Sequence, residues 1–337
     1  MWLLAWVMPA IAAPVNTRGA DAADTAAVRR VWVWSDVHIG LCTNSTGERD
    51  GAAWLQDAVA DVRDHAGPIA CVLSLGDIAN SAARAQYVQY ADIRRRATGM
   101  GPWFEYPGNH DYAGVKDGLW AEYVASPRRF ILADGNGVWI CFGAEAGGAG
   151  GRISEDTLRW LRESIARYQD RNVIVCSHQA VSRTVQGSQK DWCALYCPVA
   201  GDPLPEPLPA GANPSTPQRE TTDAALQRVA RIVDDLRVDL WLCGHIHGSK
   251  HTADSIVRRG KTTFINVASL TPAYGNHPSS SFVLEFRNGV RTVNARYRDH
   301  DAEKFDPALS TSVEFPYPWR FSGPPAIEPA KNATIPH

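Results

Sequence analysis

Five short apolar runs each end in residue types able to hold metal ions or carry protons, and no other feature of the chain limits its fold as much. Val31-Trp32-Val33-Trp34 runs into Ser35-Asp36-Val37-His38, and Leu73-Ser74-Leu75 into Gly76-Asp77. Trp103–Tyr106 leads to Gly108-Asn109-His110-Asp111, Asn172–Ser177 to His178, and Asp239–Cys243 to Gly244-His245-Ile246-His247. Short, continuously apolar runs read as strands buried on both faces. Open α/β sheets place their sites in the loops after such strands, so the spacing predicts one site gathered from five loops. Five of the ten histidines fall in it. Oxygen lone pairs and neutral imidazole nitrogens are what a divalent cation takes. Strand alternation, carried on through the motifs, would set Asp36 and His38 on one side, and likewise His245 and His247. With two oxygens on its carboxylate, Asp77 is the expected bridge between two ions.

Helical spacing fills the gaps between these runs. Leu55, Val59 and Val62 predict a helix over 53–65, and Tyr87, Tyr90 and Ile93 one over 82–96. Leu158, Leu161 and Ile165 predict another behind an N-cap at Ser154, and Leu226, Val229, Ile232, Val233 and Leu236 a fourth. Asn136-Gly137 and Asn288-Gly289 predict the turns of two hairpins, over 130–142 and 282–297. Strands alternating with helices, then hairpins, indicate an α/β fold with mixed sheets. Residues 184–221 carry Lys190, Trp192 and a run with Pro203, Pro205, Pro207 and Pro209. So long a stretch without periodicity, directly after His178, is expected as an insertion or lid beside the site. Residues 300–337, rich in Pro and aromatic side chains, are expected as an extended tail along the surface.

Composition mainly excludes. Lys and Arg number 34 against 36 Asp and Glu, a net charge of −2, which gives no electrostatic case for a nucleic-acid partner. Arg94-Arg95-Arg96 ends a predicted helix, where the dipole favours cations. No run is long enough to span a bilayer. Residues 1–28 are expected as a leader. Met1–Ala13 resembles the apolar core of a signal peptide, with an Ala-x-Ala site at Ala10–Ala12, although no Lys or Arg precedes it. A secreted or periplasmic compartment is therefore the expectation, with the cytoplasm as the alternative. Of the seven cysteines, Cys71, Cys141, Cys176 and Cys243 lie in apolar runs, as small buried hydrophobes do. Cys42, Cys193 and Cys197 lie in loops, with a pairing of Cys193 to Cys197 or to Cys42 open, as export would suit. The oligomeric state is open.

The ordered set Asp36-Val37-His38, Gly76-Asp77-Ile78-Ala79-Asn80, Gly108-Asn109-His110-Asp111, His178 and Gly244-His245-Ile246-His247 resembles the calcineurin-like metallophosphoesterases. Their pattern is D-x-H, G-D-x-x-D/N, G-N-H-D/E, a lone His, then G-H-x-H. The resemblance spans roughly Val31–Tyr297 and implies a catalytic domain over 29–299. It implies a four-layer sandwich, two stacked mixed β-sheets flanked by helices, with the site in the edge loops. It further implies two divalent ions (Fe, Mn or Zn), one on Asp36, His38, Asp77 and His247, the other on Asp77, Asn109, His178 and His245, and a bridging hydroxide as nucleophile. His110 is the implied catalytic residue, protonating the leaving oxygen or steadying the phosphoryl group, with Asp111 orienting it. Asn80 stands where relatives often carry Asp. The family's purple acid phosphatases have a Tyr after the Gly-Asp piece and an Asp-x-Gly opening motif. Ile78-Ala79-Asn80 and Asp36-Val37-His38 depart from both. The expected function is hydrolysis of a small-molecule phosphoric ester, a phosphodiester first and a phosphomonoester as the alternative. A rival reading is a catalytically silent binding module, which some relatives become by losing ligands, whereas this chain keeps the full set. Tyr112, Trp192, Tyr274 and His277 are candidates to line a substrate pocket.

Overall fold

The computed structural model describes residues 27–42, 49–148, 150–189, 193–199, 222–247, 253–272, 278–321 and 323–328. The chain begins with β1 (Val28–Trp34), α1 (Gly51–His65), β2 (Cys71–Ser74), α2 (Arg84–Arg96) and β3 (Trp103–Glu105). Two short helices, α3 (Tyr112–Lys116) and α4 (Leu119–Tyr123), lead to the hairpin β4 (Arg129–Asp134) and β5 (Gly137–Phe142). Next come β6 (Gly151–Arg152), α5 (Glu155–Arg167), β7 (Asn172–Ser177), β8 (Leu195–Tyr196), α6 (Asp223–Asp235) and β9 (Leu240–Cys243). The chain closes with β10 (Ile256–Arg259), β11 (Thr262–Asn266), β12 (Ser280–Arg287), β13 (Thr292–Asp299), β14 (Lys304–Glu314) and β15 (Ala326–Ile327).

These strands make two mixed sheets, ordered β14-β13-β12-β1-β2-β3 and β10-β11-β9-β7-β5-β4-β15, with β6 and β8 paired apart. In the first, β1, β2 and β3 run parallel through the crossovers α1 and α2. In the second, β5, β7, β9 and β11 run parallel. The period-2 alternation of a strand explains why the runs are apolar throughout. Val31 and Val33 meet Ile174, Cys176, Leu240 and Leu242 between the sheets. Trp32 and Trp34 face the other way, into Leu55, Val59, Tyr87 and Tyr90 of α1 and α2. Val173, Val175 and Trp241 pack beneath Leu158, Leu161, Val229 and Ile232 of α5 and α6. The layers are helix, sheet, sheet, helix, as the resemblance implies. Side-chain caps start three of the four long helices, α1, α5 and α6: Asp50 accepts from the N–H groups of Ala52 and Ala53, Ser154 from Thr157, and Thr222 from Ala225. Among the described residues, no helix is long and apolar enough to cross a membrane.

The expected surface tail is a correction. Lys304–Glu314 is the longest described strand and pairs with β13, while Ala326–Ile327 pairs with β4 at the far edge of the other sheet. Phe315 and Trp319 are buried between the sheets. Two Asn side chains fasten the strap between them. Asn136 donates to the Pro318 carbonyl (2.8 Å) and accepts from the Arg320 N–H (2.9 Å). Asn172 donates to the Tyr317 carbonyl (2.9 Å) and accepts from its N–H (3.1 Å). The aromatic residues that suggested a surface wrap are core residues.

The first hairpin turn also lies one residue earlier than expected. Asp134 pairs with Gly137, so Gly135 and Asn136 form the loop, with Gly135 at φ +61°. Glycine in the first central position is what a type II′ turn asks for.

The leader over 1–26, most of the Pro-rich stretch (190–192 and 200–221), and Trp192, Tyr274 and His277 lie outside the described residues. The described start of that stretch is ordered against the core: Gln186 N–H donates to the Asp254 carbonyl (2.9 Å), and Gly187 abuts Ile246. No disulfide forms among the described residues, and Cys193 and Cys197 are both buried.

A buried polar group ties α1 to the first sheet. Asp61 accepts from Arg298 Nε (2.8 Å) and Nη2 and from His300 Nδ1 (2.6 Å), while His300 Nε2 meets Ser281 Oγ (2.8 Å). Burial alone would raise the Asp61 carboxyl, but the Arg298 and His300 hydrogen bonds hold it well below the usual carboxylate range. Asp61→Asn is expected to cost about 2–3 kcal/mol near neutral pH. A folded-state pKa below the unfolded one gives stability that is complete above about pH 4 and is lost as pH falls through the folded value. Urea melts should therefore show a smaller gap between wild type and variant at about pH 2 than at about pH 7.

Candidate metal centre

All five motifs sit at the C-terminal ends of β1, β2, β3, β7 and β9, and their side chains meet at the edges of the two sheets. Strand geometry does not persist into them, and this corrects the alternation argument. Asp36 (φ 56°), His38 (φ 46°), Asp77 (φ 54°), His245 (φ 68°) and His247 (φ 50°) are all left-handed, five of the nine non-glycine residues so placed among those described. Such φ values are strained for side chains other than Gly and gather at functional sites. The turns, not a pleat, aim the side chains inward. Hydrogen bonds hold them: Ser269 Oγ donates to the Asp36 carbonyl (2.7 Å), and the Leu270 N–H to the Ser35 carbonyl (3.0 Å).

Seven side chains converge. Asp36, His38, Asp77 and His247 form one group able to hold a cation, and Asp77, His178 and His245 a second. Asn109 joins the second, its Oδ1 lying 3.0 Å from His178 Nε2. Asp77 belongs to both, but through one oxygen rather than two. Its Oδ1 accepts the His110 N–H (2.8 Å), while Oδ2 lies 3.7 Å from His38 Nε2 and 3.1 Å from His178 Nε2. Asp36 divides its oxygens the same way: Oδ2 accepts the His245 N–H (2.8 Å), and Oδ1 lies 3.1 Å from His247 Nε2. His178 donates from Nδ1 to the Leu75 carbonyl (2.8 Å), which turns Nε2 into the cluster.

The electrostatics suit a cation. Burial lowers His38 to about 4, and burial, then the His178 charge, lowers His245 to about 3, so both imidazoles are neutral donors of a lone pair. Burial opposes a charge on His178, yet the Asp77 carboxylate beside it pushes its pKa up to about 9. A proton there stands where the two carboxylates call for positive charge. His245 Nε2 is buried without a hydrogen-bond partner, and Asp36 Oδ1 has only the imidazoles of His247 (3.1 Å) and His38 (3.7 Å) beside it. Buried polar atoms are nearly always partnered, so an imidazole nitrogen left open and a carboxylate oxygen faced only by imidazoles, in a set of only oxygen and nitrogen donors, fit divalent ions.

The other two expected site residues behave differently from one another. His110 is half-exposed, with its ring 4.6 Å from that of His38, centroid to centroid. Its Nδ1 donates to the Asn80 backbone carbonyl (2.6 Å), leaving Nε2 to exchange a proton. The expectation that Asp111 orients His110 is corrected. Asp111 is fully buried and accepts instead from the N–H groups of Ala79 (2.9 Å), Gly108 (3.0 Å) and Ile78 (3.1 Å). Asn80 acts through its carbonyl, which any residue would supply, so the Asp-to-Asn departure leaves this contact unchanged.

Sequence reasoning missed Tyr87 and Gln179. The Tyr87 hydroxyl lies 3.2 Å from Asp111 Oδ1, and the Gln179 amide donates to Asn109 Oδ1 (3.4 Å). Tyr87 sat on a helical stripe and passed for packing; a buried phenol's need for a partner was the available signal. The glycines reflect close approach. A Cβ on Gly108 would overlap Asp77 Oδ1 and its backbone N. Gly108→Ala is expected to cost about 1–3 kcal/mol by overpacking, read by urea denaturation, and to displace Asp77.

A model of the calcineurin-like phosphoesterase family matches residues 29–249, more than half of the chain. No curated protein matches the sequence. Among solved structures, a purple acid phosphatase from yellow lupin (Lupinus luteus) seeds is similar at a TM-score of 0.52 and 12% identity, over 86% of this chain and 54% of that one. The chain thus spans about half the length of the lupin protein, and at that identity the likeness bears on the fold alone. A predicted phosphoesterase from Streptococcus pneumoniae gives a TM-score of 0.40 at 14% identity, over 86% of this chain and 98% of that one. Vps29 from Chaetomium thermophilum gives 0.37 at 11% identity, over 86% and 100%.

Proposed function

The chain belongs to the calcineurin-like phosphoesterase family, and on that footing we propose that it hydrolyses a phosphoric ester, a phosphodiester before a monoester, on two divalent cations. Asp36, His38, Asp77 and His247 would hold one, and Asp77, Asn109, His178 and His245 the other. The observation that carries the reading is the meeting of two ligand groups on Asp77, with the buried Nε2 of His245 left without a partner among them. When bound, such a pair supplies a water of lowered pKa and positive charge for the phosphoryl oxygens.

The chain's own residues do the rest. Backbone N–H groups from His110 and His245 fix one oxygen of each carboxylate, so the other keeps its direction. The Leu75 carbonyl fixes the tautomer of His178. His110, steadied at Nδ1 by the Asn80 carbonyl, is placed to give a proton from Nε2 to the departing oxygen. Among the described residues, neither Asp36 nor Asp77 is paired with Arg or Lys. A cluster without added cationic side chains suits a singly charged diester better than a doubly charged monoester. Ile78 and Ala79 supply no phenol beside Asp77, which speaks against the purple enzymes' ferric centre.

The test is turnover of bis-p-nitrophenyl phosphate against p-nitrophenyl phosphate, by protein reconstituted in turn with Mn, Zn and Fe. Higher kcat/KM on the diester supports the reading, and preference for the monoester makes the protein a phosphatase. Two bound ions without turnover of either, or of a wider panel of natural esters, would favour a silent binding module.

A further inference from the structure

We propose that Asp111, backed by the Tyr87 hydroxyl, is a positioning residue that sets the distance between the loop carrying Asp77 and the loop carrying Asn109, and so the site's affinity for cations. The inference rests on the metal-centre reading above.

Both oxygens of Asp111 are spent on these loops. Oδ1 accepts from the Ala79 N–H (2.9 Å) and lies 3.2 Å from the Tyr87 hydroxyl; Oδ2 accepts from the Ile78 N–H (3.1 Å) and the Gly108 N–H (3.0 Å). Neither is left for an ion or for His110. The N–H groups are also well chosen. Ile78 directly follows Asp77, and Gly108 directly precedes Asn109, so one carboxylate grips both ligand-bearing turns at their ligands.

Strand pairing does not do this job. The ladder between β2 and β3 ends at Ser74 and Glu105, before either motif begins. Beyond that point the two loops are tied by Asp111, by the His110 N–H to Asp77 and by His110 Nδ1 to the Asn80 carbonyl, and of these only Asp111 grips the residues adjoining both ligands. There is no slack in it: a Cβ on Gly76 would come within 2.6 Å of the Gly108 N. A shift of the two turns would therefore move Asp77 Oδ2, the oxygen shared by both groups, relative to Asn109 and His178. Groups that orient ligands from outside typically change metal affinity by about 10–100-fold when removed. An Asn at this position would turn an amide N–H toward backbone N–H groups, donor against donor, on one side of the fork.

The experiment is a Mn(II) titration of the metal-free full chain, wild type and variants, followed by the electron paramagnetic resonance of free Mn(II). Asp111→Asn is expected to weaken Mn(II) binding by about tenfold or more, and Tyr87→Phe severalfold, with far-UV circular dichroism unchanged. Asp61→Asn, a remote buried carboxylate, is the control for stability alone: it should lower the urea midpoint and leave Mn(II) binding as in wild type. Folded Asp111→Asn and Tyr87→Phe proteins that bind Mn(II) like wild type overturn the inference while leaving the metal centre standing. Should Asp111→Asn fail to fold, Tyr87→Phe decides: weaker binding supports the inference and unchanged binding overturns it. If wild type takes up no Mn(II), the metal-centre reading fails first and this one falls with it.

Discussion

Asp77→Asn is expected to lower kcat on bis-p-nitrophenyl phosphate by on the order of 10³ or more, with the fold intact. An Asn side chain has one carbonyl oxygen, and the His110 N–H, 2.8 Å from Oδ1, requires it. The amide NH₂ is then turned to where Oδ2 stood, 3.1 Å from His178 Nε2 and 3.7 Å from His38 Nε2. A donor with partial positive charge cannot hold a cation there, and the shared negative charge is gone as well. Cation catalysis supplies several kcal/mol; a loss of about 4 kcal/mol is a factor of about 10³ at roughly 1.4 kcal/mol per decade. Steady-state kinetics after Mn(II) reconstitution, beside far-UV circular dichroism, checks this. A variant within tenfold of wild type would remove Asp77 from the mechanism.

The second large effect lies in the core between the sheets. Trp319→Ala is expected to destabilise the protein by about 3–5 kcal/mol, the range for emptying a fully buried Trp site. Its ring packs 4.6 Å from that of Phe286 and 5.3 Å from that of Phe315, between centroids, and fills the space that a Cβ on Gly137 would need. The Trp319 carbonyl accepts the Gly289 N–H (2.7 Å), and its own N–H donates to Val290 (2.9 Å), so the strap is fixed at the same point. A surface tail would tolerate the change within about 0.5 kcal/mol. Urea denaturation separates the two outcomes cleanly.

The contrast between these sites shows what a sequence can disclose. The candidate ligands were legible because metal chemistry restricts residue type, and because each followed an apolar run whose length and composition marked a strand. Asp36, His38, Asp77, Asn109, His178, His245 and His247 are brought together as that logic requires. How they are aimed was not legible. Left-handed turns at five of them replace the strand alternation, and such turns have no signature when the residue is Asp or His rather than Gly. The role of Asp111 was hidden for a related reason: its partners are backbone N–H groups, which every residue carries. Trp319 was misread because Pro and aromatic content looks alike in a surface wrap and in a strap whose aromatic side chains close a core. The helices α1, α2, α5 and α6 were plain from the spacing of their apolar residues, and α5 also from its cap at Ser154.

The most direct test of the two-cation site is the metal content of the folded protein. Wild type and Asp77→Asn, both loaded with Mn(II) and freed of excess, would be counted by elemental mass spectrometry. Two ligand groups that share Asp77 predict two ions per wild-type chain and fewer than two in the variant. A wild type that holds none, or a variant that keeps both, would contradict the account.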